Sequence, residues 1–182
     1  MAVIVRQAWP VHDAATWVSG QQFEPEETDL PCVEFYHLLG FGKQQIYKGA
    51  SQYRNHLRCK PVLTFAEHNE WVEVWEQRHP HYVRWSESIG TQMHRDGFVA
   101  NPYGRRGSFY SKPRSKTDAT RVCQEGVRFV LLSTAVDCMK DAIVQASVAP
   151  IGISFGQIKL RSQEDADRLL AIETPVRWDT PQ

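Results

Sequence analysis

The chain has 182 residues, enough for one domain with a substantial buried core. Hydrophobic residues make up 42% and charged residues 23%, ordinary globular proportions that exclude wholesale disorder. Twenty-one Lys and Arg balance 21 Asp and Glu, for a formal charge of zero and a pI near 7.1, which argues against a generally basic nucleic-acid coat and against an acidic DNA mimic. Charge is nevertheless segregated. Glu24, Glu26, Glu27, Asp29 and Glu34 lead the chain as a candidate acidic partner surface, and a basic run lies in the middle.

Taken in order, Ala2 to Val5 reads as a short strand ended by Pro10, with a helical turn or two from Val11 to Val18. Gly20 to Asp29 is acidic and Pro-bearing, hence a loop. Cys32 to Leu39 has helical apolar spacing broken at Gly40, and Lys43 to Leu57 reads as an interrupted helix. Thr64-Phe-Ala-Glu67 is a capping box that starts a helix at Phe65, with Trp71, Val72, Val74 and Trp75 on its apolar face. Pro80 opens a second helix that Asp96-Gly97 terminates, and Trp71, Trp75 and Trp85 are core candidates. Phe98-Val99-Ala100 is a strand closed by the turn Asn101-Pro102-Tyr103-Gly104.

A long third helix runs from Asp118 to about Ser147, capped by Thr117. Its apolar stripe is Val127, Val130, Leu131, Thr134, Ala135, Cys138, Ala142 and Ala146. Ile151 to Leu160 reads as one strand, and Ser162 caps a last helix. The expected class is therefore α+β: three main helices packed on a small antiparallel sheet. A single domain over 1–182 is expected, with residues 61–182 as its helical core.

Cys32, Cys59, Cys123 and Cys138 show no Cys-x-x-Cys spacing and read as buried free thiols of a reducing compartment. The start MAVIVRQAW carries its charge after the apolar run, unlike a signal peptide, and no apolar span reaches membrane length. His79 and His81 flank Pro80 without a third ligand and read as surface residues. Asp137 and Asp141 stand one turn apart, a spacing open to a divalent metal, a solvated face or a structural cap on a neighbouring segment. Phosphate loops and nucleophile elbows are absent, and no cofactor or metal is expected.

Between Arg105 and Arg121 lie Arg105, Arg106, Lys112, Arg114, Lys116 and Arg121 against one acid, Asp118, with Phe109 and Tyr110 inside the run. Cations for phosphates and rings for stacking are what polynucleotide binding uses, and the alternative is a solvated loop. The segment GFVANPYGRRGSF resembles the G-x-(V/L)-x-N-(P/L)-(F/Y)-G-R-R-x-x-F segment of family A, polymerase I-type DNA polymerases, particularly phage ones. Upstream, HNEWVEVWEQRHPHYVRW is similar to that family's P-x-x-x-x-W region, and Glu125 to Asp137 stands where its E-A-Y-A-F-I-P-Q-S-T-V-A-D helix follows. The resemblance covers about 64 to 145.

That resemblance implies a polymerase fingers/palm-like fragment in which Tyr103, Gly104, Arg105 and Arg106 lie against a nucleic-acid backbone. It also offers Lys43, with Tyr47, as a nucleotide-phosphate contact, although Leu39 and Ser51 replace the flanking Arg and Tyr. In the long helix Leu131-Leu132 stands in place of Pro-Gln, while Ser133, Thr134 and Asp137 persist. Polymerases of this family hold two metal ions between carboxylates on adjacent palm strands. Here the first strand falls at or before Met1 to Arg6 and the hairpin near Ile153 to Ile158, and neither segment contains an acid.

Three readings follow. One is a non-catalytic relative that binds a DNA or RNA duplex or a nucleoprotein complex in the cytoplasm, as within a phage-infected bacterial cell. A second is a phage- or mobile-element-encoded interaction module, or an inhibitor of a nucleic-acid machine, that docks on a protein through the basic loop and the acidic N-terminal segment. The third is a split polymerase whose acids come from another chain.

Overall fold

The computed structural model describes residues 2–24, 31–41, 64–108 and 116–179, with the side chains of 31, 32, 65 and 116–118 left aside. The elements in order are β1 (Val3–Gln7), α1 (Pro10–Ser19), α2 (Pro31–Leu38), α3 (Phe65–Arg78), α4 (Pro80–Asp96), β2 (Phe98–Ala100), β3 (Arg106–Ser108), α5 (Lys116–Ala146), β4 (Gly152–Ser154), β5 (Gln157–Leu160), α6 (Gln163–Leu170) and β6 (Trp178–Asp179). The fold is α+β. An antiparallel sheet runs in the order β4-β5-β1-β6, and β2 and β3 form a separate hairpin.

The spine is α5, 31 residues long, hence about 46 Å at the helical rise. Its apolar stripe serves two cores in succession. Val122, Val127, Val130, Leu131 and Ala135 pack with residues of α1, α2, α3 and α4, including Val11, Leu38, Trp75, Tyr82 and Ile89. Further along, Met139, Ala142 and Ala146 pack with Val5, Ile158 and Leu160 of the sheet and with Ala166 and Leu169 of α6. Small residues bring α4 and α5 close: a Cβ on Gly126 would stand 2.9 Å from Ile89, and one on Gly90 would stand 3.1 Å from the Cys123 sulfur.

Helix starts follow local chemistry. The Thr64 hydroxyl accepts from the Glu67 N–H while the Glu67 carboxylate accepts from the Thr64 N–H, completing the capping box. Ser162 caps α6 through the Asp165 N–H, and Gly97 ends α4 in the left-handed region. Trp75 is buried, and Trp71 and Trp85 are partly buried against the same core, as their spacing predicts.

Several expectations need correction. Pro10 does not end β1; it opens α1, where its missing N–H costs nothing. The stretch Ile151 to Leu160 is a hairpin, β4–β5, because Gly156 at φ 69° permits a tight reversal. Val74 is exposed, since it points away from the side of α3 that carries Val72 and Trp75. Glu34 is no part of an acidic surface: it is buried, accepting from Trp75 Nε1 at 2.6 Å with His12 Nε2 at 3.3 Å. His79 is half-buried, tilted on Trp75 and stacked on Phe23, although His81 is exposed. The helix placed at Lys43 to Leu57 and the thiols Cys32 and Cys59 lie outside the described residues or side chains. Cys123 and Cys138 are free thiols, both pushed up by burial. Among the described residues no helix is long and apolar enough to cross a membrane.

Candidate nucleic-acid interface

The β2–β3 hairpin is tied to α5 by one side chain, Asn101. Its Oδ1 accepts from the Tyr103 N–H at 3.0 Å and the Arg105 N–H at 2.9 Å, which shapes the loop from within. Its Nδ2 donates to Asp137 Oδ2 at 2.8 Å and to Ser133 Oγ at 3.1 Å on α5. All of this occurs at a buried position, so each polar atom of the amide is satisfied. Gly104 turns the chain at φ 79°, and its N–H donates back to the Asn101 carbonyl at 2.9 Å.

This loop aims Arg105 at Asp137. Nε donates to Oδ2 at 2.8 Å and Nη2 donates to Oδ1 at 2.5 Å, a two-point pair between a half-exposed guanidinium and a largely buried carboxylate. Burial alone would push the Asp137 carboxyl up. The hydrogen bonds from Arg105 and Asn101, with the charges of Arg105 and Lys140, outweigh burial and hold it below the usual carboxylate range. Asp137 is thereby a structural anchor rather than a member of a solvated face.

Next to it, Arg106 is exposed and its guanidinium lies over the Phe98 ring, 4.7 Å from the centroid. Gly107 follows because α5 passes so close: a Cβ there would fall 2.7 Å from the Phe129 ring. Tyr103 is exposed on the loop and meets Trp17 of α1 edge to face, with centroids 5.5 Å apart. Burial, and hydrogen bonding to Cys138, push its hydroxyl up.

The sequence-predicted site residues thus fall into three groups. Tyr103, Gly104, Arg105 and Arg106 are together on the hairpin. Arg121 lies apart, exposed on the N-terminal part of α5, of which Lys116 is the first residue. Phe109, Tyr110, Lys112, Arg114 and Lys43 lie outside the described residues. The two segments expected to carry metal carboxylates are hydrogen-bonded neighbours: β1 pairs with β5, Val3 to Arg6 against Leu160 to Gln157, and neither β1 nor the β4–β5 hairpin contains an Asp or Glu. Among the described residues, no group of three or more His, Cys, Asp and Glu side chains is placed to hold a metal ion.

Neither a protein-family model nor a curated protein matches the chain. Among solved structures, it is similar to the polymerase domain of Pol1 from M. smegmatis in complex with a DNA primer-template and dNTP. The TM-score is 0.61 at 11% sequence identity, covering 96% of this chain and 37% of that one. The chain shares its fold with part of a polymerase domain. At this identity the likeness concerns fold alone, and the chain spans well under half of its neighbour.

Two residues escaped the sequence reading. Asn101 reads from sequence as turn chemistry and as the Asn of the polymerase-like segment, with nothing to indicate its tie to α5, although an Asn followed by a tight Gly turn is the residue type that satisfies loop N–H groups. Trp17 gave no signal, because it meets Tyr103 across 86 residues of sequence and only the fold brings them together.

Proposed function

We propose that this chain is a nucleic-acid-binding protein built on part of a polymerase fold and that it performs no nucleotidyl transfer by itself. The observation that carries the reading is Arg105, held in place by Asp137 beside the exposed Arg106 at the tip of a hairpin. A guanidinium has five N–H donors, and Asp137 uses two of them. The half-exposed remainder is pre-oriented for a phosphate, so little side-chain entropy is lost on contact. Phosphate contacts of this kind position a strand without reading its bases.

Two-metal transfer needs carboxylates on adjacent strands, and β1 and the β4–β5 hairpin supply none. Asp137 cannot substitute, because both of its oxygens accept from cationic or amide donors and Arg105 would repel a cation.

Two assays test this. Primer extension on a primed template with magnesium or manganese should yield no product, and extension that disappears on Asp137→Ala would overturn the non-catalytic reading. Fluorescence anisotropy with single- and double-stranded DNA and RNA at about 50 mM salt should show binding. Failure to bind any polynucleotide would overturn the binding reading in favour of a protein-docking loop, in which case the same Arg changes abolish partner capture.

A further inference from the structure

On the surface formed by α1, the β2–β3 loop and the segment before β6, two aromatic rings are exposed side by side. Trp17 is 38% and Tyr103 is 39% exposed, with ring planes at 87°. Neither belongs to either hydrophobic core, so core packing does not explain them. Their positions are fixed. Tyr103 is held by the Asn101-shaped loop, and Trp17 by the body of α1.

Two guanidiniums on the neighbouring segments are each locked by an aspartate. Arg105 is two residues from Tyr103 and bonded to Asp137. Arg177 is bonded to Asp13, one helical turn before Trp17, with Nε to Oδ1 at 2.9 Å and its own N–H to Oδ2 at 2.8 Å. Both arginine side chains are 46% exposed, and their aspartates are only 10% and 7% exposed. Lys140 and Asp141 are charged neighbours of Asp137 and Tyr103 respectively.

We propose that Trp17 and Tyr103 form a stacking site for an unpaired base of single-stranded nucleic acid, with Arg105 oriented toward its phosphate. This deepens the function proposed above and rests on it. A base presents a flat π-face that an exposed ring can stack on, and only an unstacked base can offer it, so single strands are selected over duplex. Trp17 carries no charge, so the share of the affinity that its ring supplies is stacking rather than counterion release. Loss of that ring should leave the salt dependence unchanged, whereas loss of Arg105 should lower it.

The test uses the full chain with a labelled oligothymidylate of about 12 nucleotides, within the span of known single-strand sites, and a duplex of equal length. Trp17→Ala should weaken oligothymidylate binding by about 5- to 150-fold, the range for loss of one stacked base. The duplex affinity and the log–log salt slope should stay unchanged. Trp17→Phe, which keeps a ring, should retain most of the single-strand affinity and guards against a folding artefact in the alanine variant. Equal losses on both substrates, or no loss on the single strand, would overturn the stacking site while leaving the hairpin reading intact. Absence of binding to either substrate by the unaltered chain would overturn both.

Discussion

Two buried carboxylates define two different regions of this molecule. Glu34 sits among α1, α2 and α3, and both of its partners, His12 and Trp75, are themselves buried. Asp137 sits at the edge of α5, and its strongest partner, Arg105, reaches the surface. In each case burial would raise the carboxyl and hydrogen-bonding partners hold it down. For Glu34 these are His12 and Trp75, helped by the charges of His12 and His79. The same chemistry thus closes a core in one place and fixes an exposed cation in the other. An acid whose donors all lie inside organises packing, whereas one whose donor emerges at the surface organises a site.

The largest effect that would break this contrast is in the helical core. Trp75→Ala removes a ring that stacks on Phe23 and Trp71 and leaves Glu34 Oε1 without its indole donor. It should cost about 3–5 kcal/mol in a denaturant titration. An unchanged midpoint would mean that the ring does not serve as core. At the hairpin, Asp137→Ala releases a half-exposed Arg105 and one Asn101 bond, so solvent softens the loss to about 1–3 kcal/mol. A cost matching that of Trp75→Ala would place the hairpin in the core as well.

The two regions should also separate by pH. Burial lowers the His79 pKa from its ordinary 6.5, against the pull of the Trp75 carbonyl and the Glu34 charge. The unfolded chain therefore binds the proton more readily, so this contribution is present above about pH 6.5 and is lost as pH falls through the lowered folded value. Asp137 is also lowered, from 3.8, so its contribution is present above that value and lost only in stronger acid. Thermal midpoints between pH 7 and pH 5 should fall for the natural chain and fall less for His79→Gln, while Asp137→Asn leaves that limb unchanged. A midpoint that rises on acidification would reverse the assigned sign. The smallest effect concerns the turn. Gly104→Ala meets no neighbour but must adopt φ 79°, which should cost about 1 kcal/mol.

What the sequence made legible follows from the range of each interaction. Thr64 with Glu67, Ser162 with Asp165, Gly97 after α4 and the stripe from Val127 to Ala146 act within a few residues, and periodicity and capping rules reveal them. The strand Phe98–Ala100 and the turn after it are legible, whereas its partner strand Arg106–Ser108 is not, because it lies in a run that reads as a basic loop. The burial of Glu34 was illegible because Trp75 lies 41 residues away, and an acid in an acidic stretch reads as surface. A structural cap on a neighbouring segment is one of the readings the sequence offers for Asp137, but its partner Asn101 is not legible, being 36 residues away. The exposed Trp17 was lost among six tryptophans, of which composition favours burial.

The central claim is that Arg105 and Arg106 present a phosphate-binding surface on a polymerase-like fold. Its most direct test is the salt dependence of polynucleotide binding by the natural chain and by Arg105→Ala combined with Arg106→Ala. The account predicts affinity that falls linearly on logarithmic axes for every sequence alike, with a slope about one unit shallower for each charge removed. An unchanged slope in the double variant would contradict it.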